Sequence, residues 1–162
     1  MGRRPFVVAC IPAYKEEKNI GRVVLLTRRY VDRVVVCDDG SPDLTGEIAE
    51  ALGAVVVRHG RNLGYGAAIG SLFREALKLG ADVVVTLDGD GQHDPGQIPR
   101  LVEPILRGEA DLVNGSRFLR VEDASRVPGY RRFGIRVITG LTRNASYGDL
   151  TDCLLYTSPS PR

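Results

Sequence analysis

Short valine-rich runs alternate with amphipathic segments through most of this chain, and that alternation limits the folds open to it. Five runs are continuously apolar, as strands covered on both faces are: Phe6–Ile11, Arg33–Cys37, Ala54–Arg58, Asp82–Leu87 and Asp111–Asn114. The segments between them have helical period. This order predicts an α/β fold with a mostly parallel sheet flanked by helices, whose ligands bind beyond the carboxyl ends of the strands.

The apolar positions of each predicted helix indicate its buried face. On the first helix these positions are Ile20, Val23, Val24 and Thr27. On the third they are Ile69, Leu72, Phe73, Ala76 and Leu77. Two dipeptides predict the start of a helix, with a capping side chain followed by proline at the first helical position. They are Ser41-Pro42 and Asp94-Pro95.

Length and charge exclude several classes of protein. A chain of 162 residues fits one domain. Its net charge of +2 is too small for a dedicated nucleic-acid binder, so no nucleic-acid partner is expected. No apolar run reaches the roughly 18 residues of a membrane span. The 3 cysteines contain no CxxC pair, which disfavours a disulfide framework and predicts a reducing, cytoplasmic location.

Polar clusters follow three of the predicted strands and should meet at one edge of the sheet. They are Pro12–Glu17, Asp38–Ser41 and Asp88–His93. Asp-Gly-Ser after a strand is also a common turn and cap, so that cluster alone has an ordinary structural explanation. Asp88 and Asp90 would repel each other without a cation. With the Gln92 carbonyl they offer hard oxygen ligands that suit Mg²⁺ or Mn²⁺.

Two motifs allow other interpretations. The segment Gly64–Gly70 resembles the glycine loop of dinucleotide-binding oxidoreductases, but that loop belongs on the first strand-helix turn and here follows the third strand. It is better interpreted as a loop and helix N-terminus near a nucleotide, with Asn62 and the arginines Arg58 and Arg61 adjacent. Asp88-x-Asp90 also resembles the motif of aspartyl-phosphate phosphatases, which usually lies on the first strand.

Five motifs taken in order resemble those of the family 2 glycosyltransferases, with the nearest likeness to polyprenyl-phosphate (dolichol-phosphate) mannose and glucose synthases. The motifs lie within residues 12–20, 36–43, 62–66, 87–95 and 115–118, and the resemblance covers residues 5–152. It implies a Rossmann-like GT-A domain that binds a nucleotide-sugar. It also implies metal-dependent transfer of a hexose, with inversion, from a donor of the GDP-mannose or UDP-glucose type to a polyprenyl phosphate.

The resemblance assigns roles residue by residue. Pro12, Tyr14 and Glu16 would line the base and ribose of the donor, where Asp39 would accept hydrogen bonds and Asn62 would contribute. The remaining assignments are the metal ligands Asp88, Asp90 and Gln92, with Asp88 also near the donor, and the catalytic residues Asp90, Arg117 and Arg131. The two arginines suit the phosphate of a lipid acceptor, because guanidinium groups match phosphate oxygens.

The resemblance stops near residue 152. Residues 1–152 are expected to form the glycosyltransferase domain and residues 153–162 an unstructured or foreign tail. The part that would cover the acceptor, and would bring peripheral contact with the cytoplasmic membrane face, is expected to be missing, so the chain looks truncated. A donor-binding fragment without turnover is therefore the alternative function, and a dinucleotide-dependent oxidoreductase a more distant one.

Overall fold

The computed structural model describes residues 3–115. The chain divides into two units, of which the first is Met1–Val113. The described residues comprise nearly all of this first unit, together with Asn114 and Gly115. The strands are β1 (Val7–Ala13), β2 (Arg33–Asp38), β3 (Val55–Arg58) and β4 (Val83–Thr86). The helices are α1 (Ile20–Thr27), α2 (Thr45–Ala51), α3 (Tyr65–Lys78) and α4 (Ile98–Leu106), with a short 3₁₀ helix at Pro95–Gln97.

The strands form one parallel sheet in the order β3-β2-β1-β4. The two central strands are buried almost along their whole length, which is why they are valine-rich on both faces. Parallel neighbours need a crossover connection, and in this unit each crossover contains a helix. The predicted α/β class with a mostly parallel sheet is confirmed.

Successive side chains of β1 point to opposite faces of the sheet, so the strand contributes to a separate part of the core on each face. Ala9 and Ile11 pack with α1 on one face, whereas Val8 and Cys10 pack against Leu72 of α3 on the other. A further cluster joins β4 to α4 through Ile98 and Val102. The four buried positions predicted for the first helix, Ile20, Val23, Val24 and Thr27, are the buried residues of α1.

The buried face of α3 differs from the predicted one. The helix buries Ala68, Leu72 and Ala76, while Phe73 is 44% exposed and Leu77 is 74% exposed. The buried residues are spaced four apart, and two of them are alanines, so a narrow stripe faces the sheet. The prediction is confirmed at Leu72 and Ala76 and wrong at Phe73 and Leu77, because side-chain hydrophobicity alone does not show how closely a helix approaches the sheet.

Replacing Leu72 by alanine should lower the free energy of unfolding by about 3 kcal/mol, because it leaves a cavity between α3 and the sheet. Leu77→Ala on the same helix is the matched control, and it should change that free energy by less than about 0.5 kcal/mol. Urea unfolding followed by circular dichroism measures both. Equal losses in the two variants would contradict the helix orientation.

Two local predictions were wrong. Residues 111–114 do not form a strand, because no described strand pairs with them and Leu112 is 78% exposed. Ser41-Pro42 does not cap a helix, since α2 begins only at Thr45 and the Ser41 hydroxyl instead accepts the Lys15 amide at 3.0 Å. The corresponding prediction for Asp94 is confirmed, because its carboxylate accepts the Gly96 amide at 2.9 Å.

No helix within residues 3–115 has both the length and the apolar character needed to cross a membrane.

Candidate functional site

The carboxyl ends of the central strands bring two of the predicted clusters together. Ala13 of β1 is in register with Asp38 of β2, and the Asp39 amide donates to the Ala13 carbonyl at 2.9 Å. Beyond the strands, the chain after β1 therefore runs beside the chain after β2. The segments Tyr14–Glu17 and Asp38–Thr45 form one connected surface at this edge of the sheet.

Side chains between β2 and α2 hold the backbone that follows β1. The Lys15 amide donates to Ser41 Oγ and the Glu16 amide donates to Thr45 Oγ1 at 2.8 Å. Lys15 has a φ of +59° and its ammonium group lies 5.0 Å from the centre of the Tyr14 ring. A non-glycine residue in this left-handed region is held there by its surroundings, so the shape of the loop that carries Tyr14 and Glu16 is set by these bonds.

The same bonds involve Asp43, whose carboxylate accepts both the amide and the hydroxyl of Thr45. Desolvation alone would raise the pKa of Asp43, but the hydrogen bonds from Thr45 outweigh it and lower that pKa. A carboxyl with a lowered pKa in the folded state stabilises the fold above its unfolded pKa and loses that contribution as the pH falls through the folded value.

Asp38 and Asp39 are both buried, at 6% and 4% exposure, and both are hydrogen-bonded. Asp38 accepts the Ser41 amide at 2.9 Å. Asp39 accepts the amides of Leu63 and Gly64, at 2.9 and 2.8 Å, and lies 2.6 Å from Nδ1 of His59. The carboxylate that the sequence assigns to the nucleoside thus also organises the loop between β3 and α3.

Gly40 allows that loop to lie directly against the chain after β2. Its φ is +73°, and a Cβ placed on it would lie 2.4 Å from the Arg61 carbonyl carbon and 2.7 Å from the Asn62 nitrogen. Asn62 in turn accepts the Gly64 amide through its side-chain oxygen at 3.0 Å. Two polar clusters separated by more than 20 residues in sequence therefore meet backbone to backbone.

The Asp88–His93 segment forms a turn after β4 that packs on the end of β1. A Cβ placed on Gly89 would lie 3.2 Å from the Pro12 carbonyl oxygen and 3.5 Å from Glu16 Cγ. Asp90 Oδ1 accepts the Gln92 amide at 2.9 Å, and the Asp88 amide donates to Nδ1 of His93 at 3.1 Å. These bonds fix the turn and keep both carboxylates at the sheet edge.

The oxygen atoms of this turn are of the kind that a hard divalent cation takes as ligands. Within the described residues no group of three or more His, Cys, Asp and Glu side chains could hold a metal by itself. Mg²⁺, however, is usually bound through one or two carboxylates while phosphate oxygens and waters complete the octahedron. Asp88 and Asp90, on one glycine-containing turn, match that partial ligand set.

The structure brings some of the residues assigned from sequence together and separates others. Pro12 and Glu16 lie against the Asp88–Asp90 turn, and the side chains of Asp39 and Asn62 both accept the Gly64 amide. Arg58 does not join them, because its guanidinium donates to Glu50 of α2 at 2.8 Å. Arg117 and Arg131 lie outside the described residues.

The sequence analysis assigned no role to the two histidines at the site, although His93 ends one of its polar clusters. His93 accepts the Asp88 amide inside the turn, and His59 bonds to Asp39 in the loop after β3. His59 directly follows β3 and His93 lies seven residues after the end of β4, and these positions are the only signal in the sequence that distinguishes them.

The chain is similar in sequence to known glycosyltransferases. The family model described as "Glycosyl transferase family 2" matches residues 8–157. The UDP-N-acetylglucosamine–dolichyl-phosphate N-acetylglucosaminyltransferase of Methanococcus voltae is 33% identical over 142 residues, covering 76% of this chain and 57% of its own length. The undecaprenyl-phosphate mannosyltransferase of Micrococcus luteus is 38% identical over 130 residues, covering 76% and 49% of the two chains.

Among solved structures, the glucosyl-3-phosphoglycerate synthase of Mycobacterium tuberculosis, in complex with Mn²⁺, UDP and glucosyl-3-phosphoglycerate, is similar to this chain with a TM-score of 0.54. The identity is 33%, and the match covers 65% of this chain and 41% of the synthase. This likeness confirms the predicted GT-A fold. The chain spans about half the length of the curated relatives it matches.

Proposed function

This chain belongs to glycosyl transferase family 2, and from that premise we propose that it binds a nucleoside diphosphate sugar at the carboxyl edge of its sheet. We further propose that the whole protein transfers the hexose, with inversion, to a polyprenyl phosphate. The observation that supports the donor site most directly is the packing of the Asp88–Asp90 turn on Pro12 and Glu16. This contact supports the proposal because the turn that carries Asp88 and Asp90 lies beside the segment assigned to the nucleoside.

We assign the nucleoside to the surface between the ends of β1 and β2. Pro12, Tyr14 and Glu16 would line the base and ribose, and Asp39 would accept a hydrogen bond from one of them. Asn62 would complete this wall from the loop after β3, which Gly40 keeps close to the chain after β2. The donor is proposed to be of the GDP-mannose or UDP-glucose type.

We assign a Mg²⁺ or Mn²⁺ ion to Asp88 and Asp90, with the Gln92 side chain as a further ligand. When bound, such an ion neutralises the charge that develops on the leaving nucleoside diphosphate. Support comes from the carboxylate pair itself and from the Mn²⁺ and UDP present together in the M. tuberculosis synthase structure. The absence of a side chain at Gly89 lets this turn pack closely on Pro12 and Glu16.

The acceptor assignment rests on chemistry and on the relatives. Arg117 and Arg131 are proposed to bind the acceptor phosphate, within a glycosyltransferase domain of residues 1–152. The two relatives described above are named for dolichyl-phosphate and undecaprenyl-phosphate acceptors. A polyprenyl phosphate is embedded in a membrane, so we propose that transfer takes place at the cytoplasmic membrane face.

The alternatives have less support. A donor-binding fragment without turnover shares the donor site and differs only in the release of nucleoside diphosphate. A dinucleotide-dependent oxidoreductase would use the Gly64–Gly70 loop, but that loop follows the outer strand β3 and not the central strand β1.

Calorimetric titration tests the donor assignment. UDP-glucose, GDP-mannose and NAD are each titrated into the 162-residue chain with and without Mn²⁺. We expect at least one nucleotide-sugar to bind, and to bind more tightly when Mn²⁺ is present, because the carboxylates of Asp88 and Asp90 would repel the diphosphate unless a cation lies between them. If NAD binds with or without Mn²⁺ and neither nucleotide-sugar binds, the result would support the oxidoreductase instead. Lack of binding by both nucleotide-sugars would contradict the proposal.

A further inference from the structure

His59 occupies a position that the donor assignment does not explain. It is the first residue after β3, and its side chain is only 9% exposed. One ring nitrogen, Nδ1, lies 2.6 Å from Asp39 Oδ1, and the other, Nε2, lies 2.9 Å from the hydroxyl of Ser71 on α3. The imidazole therefore joins the end of β2 to α3 across the loop that follows β3.

The surrounding hydrogen bonds indicate which ring nitrogen donates to Asp39. The Asp39 carboxylate accepts the Leu63 and Gly64 amides and is an acceptor toward His59, so Nδ1 carries the hydrogen. The Arg74 guanidinium donates to Ser71 Oγ at 3.0 Å, which leaves the Ser71 hydroxyl hydrogen available for Nε2. One continuous chain of donors then runs from Arg74 through Ser71 and His59 to Asp39.

The thiol of Cys37 fits the same arrangement. Its sulfur lies 3.7 Å from Nε2 of His59. Burial, together with the charges of Asp39 and Asp38, raises the pKa of Cys37 to about 12, so the thiol keeps its hydrogen at neutral pH. Both neighbours of Nε2 can therefore donate to it, so an imidazole that donates from Nδ1 to Asp39 has a partner at each ring nitrogen.

We propose that His59 is a positioning residue for donor binding: its Nδ1–H fixes the Asp39 carboxylate and thereby the loop that carries Asn62. This inference rests on the proposed function, since it concerns the same nucleotide site. Asp39 Oδ1 is shared by His59 and Leu63, whereas Oδ2 accepts one described amide, that of Gly64. A carboxylate oxygen offers two lone pairs, so Oδ2 keeps one for the nucleoside.

Without the His59 bond, only main-chain amides of a loop would hold the carboxylate. The ordering of Leu63 and Gly64 depends on the same carboxylate, so the orientation of Asp39 and the shape of the loop would loosen together. Nucleotide binding would then have to restore both, and the affinity would fall. His59 itself need not contact the nucleotide for this effect.

Two substitutions test the hydrogen bonds of the two ring nitrogens of His59 separately. The His59→Asn side chain places its amide near the position of Nδ1 and can still donate to Asp39, whereas the His59→Gln side chain reaches the position of Nε2 and Ser71. We expect His59→Gln to weaken binding of UDP or GDP in Mn²⁺ by about tenfold. His59→Asn should recover most of that loss. Ser71→Ala, the matched control on α3, should change the affinity less than threefold.

Calorimetry gives the affinities, and hydrogen exchange at the Leu63 and Gly64 amides gives the order of the loop without nucleotide. Equal affinities for the Gln variant and the wild type, or tighter binding by Gln than by Asn, would overturn the positioning role. Failure of the wild-type chain to bind either nucleotide would instead overturn the proposed function. In that case, faster exchange at the two amides in His59→Gln than in His59→Asn would still show that His59 fixes the loop.

The wild-type chain provides a test that does not depend on variant folding. The Nδ1 proton of His59, bonded to a carboxylate at 2.6 Å, should give a downfield proton NMR signal in the absence of nucleotide. This signal should shift when UDP or GDP binds, because Asp39 then accepts an additional hydrogen bond. A nucleotide that binds without moving the signal would contradict the inference.

Discussion

Replacing Asp90 by alanine should abolish the dependence of nucleotide-sugar binding on Mn²⁺. The Asp88–Asp90 turn offers two carboxylates where a hard cation needs several oxygen ligands, and loss of one leaves a single carboxylate. The fold should survive, because Asp90 contributes only one described hydrogen bond, to the Gln92 amide. We expect the free energy of unfolding to fall by less than about 1 kcal/mol. Calorimetry with and without Mn²⁺ measures the first effect, and urea unfolding measures the second.

Asp94→Asn is the matched control for that experiment. Asp94 lies four residues further along the chain and uses its carboxylate to cap the short helix at Pro95–Gln97. Its replacement removes a negative charge near the turn without removing a proposed ligand. Mn²⁺-dependent binding should persist in Asp94→Asn. Its persistence in Asp90→Ala, with unchanged affinity, would refute the metal assignment.

Replacing Gly40 by alanine should destabilise the protein by about 4 kcal/mol. The left-handed conformation of this residue costs an L-amino acid about 1–2 kcal/mol, and overpacking of a tight contact costs about 1–3 kcal/mol more. The contact concerned is with the backbone of Arg61 and Asn62, which cannot move aside as a side chain could. Any protein that remains folded should bind nucleotide weakly, because the loop after β3 is displaced.

Gly60→Ala separates this effect from an ordinary loop substitution. Gly60 lies in the same loop, but a Cβ at that position would meet nothing within 4 Å. We expect its midpoint of thermal unfolding to stay close to that of the wild type. A Gly40→Ala protein as stable as Gly60→Ala would show that the two segments do not lie against each other as described.

The sequence predicts the sheet well because its signal is local. Runs such as Val34–Val36 are short, β-branched and apolar at every position, as strands buried on both faces are. The placement of Asp39 and Asp88 at one edge then follows from parallel topology. The buried face of α3 does not follow, because Phe73 and Leu77 are as apolar as Leu72 and their exposure depends on how the helix lies on the sheet.

The loop contacts of the site could not be predicted for a different reason. Asp39 and His59 are 20 residues apart, and their bond depends on β2 and β3 ending at the same level. The same holds for Gly40 and Arg61, whose approach is visible only once both loops are folded. Spacing along a sequence predicts which edge of a sheet a side chain reaches, but not which neighbour it meets there.

The strand order also determines how this unit can assemble during synthesis. β1 pairs with β2 on one side but with β4 on the other, and Val83 lies 45 residues beyond Asp38. At about 5–20 residues per second, the ribosome needs roughly 2–9 s to make that stretch. Throughout that interval the hydrogen-bonding edge of Val7–Cys10 has no native neighbour, and such an apolar edge is a template for pairing with other chains. Nascent chains should therefore engage chaperones until β4 leaves the exit tunnel.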